Sequence, residues 1–183
     1  MLQLIITILF VLIPLTWIVF KHKKTIKEAL VELIPKHQGL KKEALGSITL
    51  FGALFLGFML ISTGLSIAED LTGTNINDLE KVEEVVNNEI AFNFTAFIVS
   101  LVIIVFIEEF FFRSFLVPRI GMTLSTLIFT FFHYGYGSIG ELIGVFILGL
   151  ILAYWFKKKG SIIQNYFGHL FYNIIAVIFY ILL

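Results

Sequence analysis

No cysteine occurs in the 183 residues. That removes disulfides, thiolate metal ligands and a cysteine nucleophile together. The only aspartates, Asp70 and Asp78, share one hydrophilic stretch between apolar segments, so an aspartate dyad inside a membrane is excluded. No HExxH is present, which argues against a zincin-type metal site. Charged residues make up only 14% of the chain and sum to zero, so there is no footprint for nucleic acid. No low-complexity segment or internal repeat stands out. What dominates is apolar: 58% of residues are hydrophobic and mean hydropathy is +0.98, as in a polytopic membrane protein.

The expected fold is all-α, a transmembrane helix bundle forming one domain over residues 1–183. Helices of residues 1–68 precede a functional core of about 90–183. Six apolar segments approach the ~20 residues a spanning helix needs: Leu2–Phe20, Leu45–Ala68, Ile90–Val117, Ile120–Tyr134, Ile139–Phe156 and Ser161–Leu183. The fourth is short and is expected to be buried in the bundle rather than lipid-facing. Pro14 is expected to kink the first. That segment lacks a leading basic region and a small-residue cleavage site, so it reads as a retained span rather than a signal peptide.

Charge placement predicts the orientation. Lys21, Lys23, Lys24, Lys27, Lys36, Lys41 and Lys42 follow the first segment, Arg119 the third, and Lys157, Lys158 and Lys159 the fifth. These loops fall on one side, the cytoplasmic side by the positive-inside rule. The loop after the second segment carries Glu69, Asp70, Asp78, Glu80, Glu83, Glu84 and Glu89 against Lys81. Both termini are then expected outside, in a multi-pass cell-membrane protein. Two loops have helical pattern of their own, Thr25–Ile34 (Ile26, Leu30, Leu33, Ile34) and Thr74–Ile90 (Ile76, Leu79, Val82, Val86). They read as amphipathic interfacial or ordinary surface helices.

Ionisable groups at membrane depth mark a functional site by default. The third segment carries Glu108, Glu109 and Arg113. At about 100° per residue, Glu109 and Arg113 share a helix face and can pair, whereas Glu108 points elsewhere. Glu109–Arg113 is therefore expected as a structural ion pair and Glu108 as a free carboxylate suited to general-base work. A helix-locking cluster, or a proton or ion path, stays open on the residues alone. Phe129 and His133 are i,i+4 in the fourth segment, as are His169 and Asn173 in the sixth. The last pair could donate hydrogen bonds to an oxyanion or serve as interhelical polar glue. Glu108 falls ~13 Å from the basic end of its helix, His169 ~12 Å and His133 ~16–20 Å, so the groups can converge in one layer nearer that end. Gly140 and Gly144 form a GxxxG pair expected to pack the fifth segment between helices that carry the site.

EExxxR, FxxxH and HxxxN in this order resemble the CAAX-protease and bacteriocin-processing (CPBP, Abi) family, whose eukaryotic relatives are the type II CAAX prenyl endopeptidases. Here they read Glu108-Glu109…Arg113, Phe129…His133 and His169…Asn173, within roughly Phe97–Val177. The resemblance implies a glutamate-dependent intramembrane endopeptidase. Glu108 with His133 would activate water, His169 with Asn173 would stabilise the oxyanion, and Glu109, Arg113 and Phe129 would support them. Older proposals for the family place a metal here. The pairing of Glu109 with Arg113 argues against one, and no cofactor is expected. Expected partners are a peptide or prenylated protein substrate and membrane lipid, with the site opening toward the cytoplasm. A non-proteolytic immunity or regulatory scaffold of the same family is the alternative, and a small transporter a third reading.

Overall fold

The computed structural model describes residues 2–35 and 37–182. Lys36 of the basic loop and Leu183 of the last segment lie outside the described residues. The helices are α1 (Leu2–His22), α2 (Ile26–Leu33), α3 (Leu40–Thr72), α4 (Glu80–Ile120), α5 (Met122–Phe132), α6 (Ile139–Lys159) and α7 (Ile162–Leu182). No strand occurs among the described residues. Five helices, α1, α3, α4, α6 and α7, are long and apolar enough to cross a membrane. The helical membrane bundle is therefore present, with one span fewer than expected.

The missing span is α5. Gly121, at φ +83°, turns the chain sharply after α4, and α5 runs for only 11 residues. That is ~16 Å, about half of a hydrocarbon core. Nor is it buried all round. Ser125, Thr126 and Phe129 face inward, whereas Leu124 and Leu127 are each 50% exposed. The chain then regains the far end through Tyr134–Tyr136, a single 3-10 turn, and Gly137 at φ +69°. Pro14 lies inside α1, which runs as helix from Leu2 to His22.

Helix α4 is the longest. It is interrupted at Asn93 (φ −164°, ψ 95°), whose Oδ1 accepts the Ala96 N–H at 2.9 Å. Asn93 thus caps the membrane stretch of α4 from within. The expected surface helix Thr74–Ile90 is not separate: residues 74–79 lack α-helix, and the helix that starts at Glu80 runs on into the membrane stretch. In α2 the Thr25–Glu28 capping box is complete. Ala29 and Leu33 are its buried positions, and Ile26, Leu30 and Ile34 face outward. The Leu33 carbonyl accepts the Ser114 hydroxyl, and Arg119 pairs with Glu32 at 2.7 Å. Both links fasten α2 to α4.

Close helix contacts rest on other glycines than expected. A Cβ on Gly168 of α7 would come within 2.9 Å of Leu50 of α3, and one on Gly149 of α6 within 2.9 Å of Thr126 of α5. A Cβ on Gly144 would meet nothing within 4 Å, because Gly144 faces a cavity. Gly140 instead abuts the loop carbonyl of Ile76.

That loop also caps α6. Asp78, 1% exposed, accepts hydrogen bonds from the Ser138 hydroxyl (2.7 Å) and the Gly140 (3.0 Å) and Ile139 (3.2 Å) amides, and pairs with Lys81 at 2.8 Å. Burial raises the Asp78 pKa, but Lys81, the two amides and Ser138 outweigh it and hold the carboxyl well below its ordinary value. A depressed carboxyl contributes stability above its unfolded value of about 3.9, and loses it as pH falls through the folded value. Asp78→Asn should therefore lower the melting temperature at pH 7, by an amount that shrinks as pH is taken below about 4. Thermal unfolding of both proteins in detergent between pH 3 and 7 checks this. A gap that does not change with pH would mean that the charge is not what matters.

Candidate active site

Where α4 passes α7 it widens into a π-helical stretch, Glu109–Leu116. Such stretches occur often at functional sites. Its residues from Glu109 to Phe115 are all buried. Phe10 of α1 stacks on Phe111 at 4.3 Å and meets Phe112 edge-on at 5.1 Å, sealing one side. The other side turns Glu109 toward α7.

Glu109 is 0% exposed and held from three directions. Its Oε1 lies 2.8 Å from His169 Nδ1, its Oε2 accepts from Asn165 Nδ2 at 3.1 Å, and Arg113 Nε stands 3.6 Å from Oε2. The expected i,i+4 pair exists, but its two ends are unequal. Glu109 is satisfied by α7, whereas Nε, Nη1 and Nη2 of Arg113 have no hydrogen-bond partner among the described residues. The guanidinium lies instead over the Phe129 ring at 4.2 Å, a cation–π contact. An ionised carboxylate only accepts, so His169 donates from Nδ1 and its Nε2 remains for other work.

His133 caps the end of α5, with Nδ1 3.0 Å from the Phe129 carbonyl. It lines a cavity of about 170 Å³ together with Phe129, Tyr136, Glu141, His169, Tyr172 and Asn173. The structure thus brings together His133, His169 and Asn173 from two different motifs. The α3 wall of the cavity is Leu54, Phe58, Ile61, Ser62 and Leu65. From the layer of His169, Leu152 and Leu54 the lining continues to Leu79, Val82 and Val86, on the side of the acidic loop. Among the described residues, none of the basic loops lines it.

Glu108 does not line this cavity. It is half-buried, and its side chain makes no hydrogen bond or ion pair among the described residues. It follows the lining residue Leu101 by seven positions, which puts it on the same face of α4, about 10 Å further along the helix. Its charge acts on Arg113 and on the lining residue Tyr136.

Asn165 and Glu141 were missed in sequence. Asn165, His169 and Asn173 stand at four-residue spacing, a polar stripe that extends the motif by one turn. Glu141 is an ionisable residue inside the apolar segment Ile139–Phe156, which is the signal applied to Glu108. Among the described residues no three His, Asp or Glu side chains gather as a metal site. Both Glu109 oxygens and His169 Nδ1 are engaged with one another or with Asn165, so of these groups only His169 Nε2 is left to bind a metal ion.

Residues 90–175 match the protein-family model described as Rce1-like, type II CAAX prenyl endopeptidase Rce1-like. The matched stretch contains all three motifs and supports the resemblance read from them. No curated protein and no solved structure gives a significant match to the chain.

Proposed function

We propose, from the premise that residues 90–175 belong to the Rce1-like family of CAAX proteases, that this membrane protein hydrolyses a peptide bond through glutamate-activated water. Glu108, with His133, takes the proton from water as it attacks the carbonyl carbon. His169 Nε2 and the Asn173 amide hold the resulting oxyanion. Nδ1 is spent on Glu109, so the imidazolium form supplies the Nε2–H. Glu109 and Arg113 keep His169 in place.

The observation that carries this reading is the convergence of His133, His169 and Asn173 on one cavity, with the Nδ1 of His169 fixed by a buried carboxylate. The apolar α3 wall suits a hydrophobic or prenylated peptide C-terminus. The chain acts as one membrane domain, metal-independent, with its basic loops cytoplasmic and its termini outside.

The deciding experiment incubates purified protein with prenylated and unmodified peptides, wild type beside Glu108→Gln. Wild type should cleave, before and after exhaustive chelation, and Glu108→Gln should not. Stoichiometric zinc whose removal abolishes and whose return restores activity would overturn metal independence. Failure of wild type to cleave any peptide would leave the non-proteolytic scaffold. Because the chain lacks cysteine, reagent access to a Lys158→Cys variant in sealed vesicles decides the orientation in the same preparation.

A further inference from the structure

One ionisable cavity group has no part in that mechanism. Glu141 stands in the first turn of α6, its amide bonded to Ser138 Oγ at 3.0 Å, and it lines the cavity beside His133, Tyr136, His169 and Asn173. Its carboxyl makes no hydrogen bond or ion pair among the described residues. A helix N-terminus would favour an anion here, but Asp78 already occupies that N-terminus through the Ile139 and Gly140 amides. The cavity lining brings no lysine or arginine to this carboxyl, so no fixed cation holds it as an anion.

The surrounding groups point the same way. Helix α4 contributes Glu89 and Glu108, both of which act on Tyr136, and Lys81, which is taken up by Asp78 and the Gly137 carbonyl. Helix α7 contributes His169, engaged by Glu109, and Tyr172. Helix α3 contributes apolar side chains and Ser62. The imidazole of His133 lines the same cavity as Glu141.

We propose that Glu141 is the proton donor of this site, protonating the amine that leaves when the peptide bond breaks. The proposal rests on the hydrolytic reading above and completes its proton balance. Water adds its oxygen to the carbonyl carbon and gives a proton to Glu108. The C–N bond then breaks as the nitrogen takes the proton of Glu141. The products are a carboxylic acid and a free amine, and the proton on Glu108 returns to Glu141 through His133. Two carboxyls in unlike surroundings thus divide base and acid roles, a recurrent solution in hydrolases.

The test uses the whole purified chain and dicyclohexylcarbodiimide, an apolar reagent that adds to protonated carboxyls. At neutral pH it should label Glu141 of the wild type and leave Glu109, ionised beside Arg113 and His169, unlabelled. Glu141→Gln should lose at least ~10² in peptide turnover at an unchanged melting temperature. Glu141→Asp, which keeps a carboxyl, should retain part of the rate. An unlabelled Glu141, or wild-type turnover by Glu141→Gln, overturns the donor role and leaves the hydrolase standing. A wild type that cleaves no peptide removes the hydrolytic reading itself, and the donor role with it.

Discussion

Glu108→Ala and His133→Ala should each reduce peptide turnover by at least ~10²–10⁴ and leave thermal unfolding close to wild type. The two halves of this expectation have separate grounds. Turnover falls because, in the proposed mechanism, Glu108 and His133 together take the proton from water, while Glu109 is committed to His169, Asn165 and Arg113. Stability holds because neither side chain makes a hydrogen bond or ion pair to another helix among the described residues. Glu108 is half-buried with no hydrogen bond or ion pair among the described residues, and the His133 ring bonds a carbonyl on its own helix and meets Phe129 of that helix edge-on at 4.6 Å. Initial rates with a cleavable peptide, beside melting curves of the same preparations, decide the matter. Unchanged turnover in either variant would remove the mechanism.

The opposite pattern is expected of Glu109→Ala. Arg113 is 1% exposed and its three nitrogens have no hydrogen bond among the described residues, so Glu109 at 3.6 Å is the carboxylate paired with it. Removing one partner of a buried pair typically costs ~3–5 kcal/mol, because the other stays behind uncompensated. The change also strips an acceptor from His169 and Asn165. At roughly 2–4 °C per kcal/mol for a chain of this size, the melting temperature should fall by about 6–20 °C. Melting curves of Glu109→Ala and Glu108→Ala, measured side by side, test the ranking. A larger loss for Glu108→Ala would show that the roles of the two glutamates are exchanged.

Both predictions start from residues legible in the sequence. The i,i+4 spacing of Glu109 and Arg113 gave their pair, and hydropathy gave every helix long enough to span. What sequence missed is long-range or depends on which face a residue occupies. A hydropathy window reads Ile120–Tyr134 as a span because it weighs side chains and not the backbone turns at Gly121 and Gly137 that cut α5 short. The GxxxG spacing of Gly140 and Gly144 marks a face but not what lies against it, and the close contact falls to Gly149. The grip of Asn165 and His169 on Glu109 joins residues 56 and 60 positions apart, which no local pattern encodes. Asp78 likewise looks like one more charge in an acidic loop until the fold brings the start of α6 onto it.

The π-helical stretch Glu109–Leu116 makes the division of labour between the two glutamates a matter of counting. Its ladder closes over five residues rather than four, so it holds one residue more than an α-helix would between the same anchors. Downstream, Val117–Ile120 and the turn at Gly121 are fixed by Arg119 on Glu32 and by the start of α5. Delete one residue from the stretch and everything upstream turns by about 100° relative to that anchor. Glu109 would swing off α7, and its neighbour would be carried round toward Asn165 and His169. Which glutamate is buried and which is free is thus recorded in the length of the segment, since chemically the two side chains are the same.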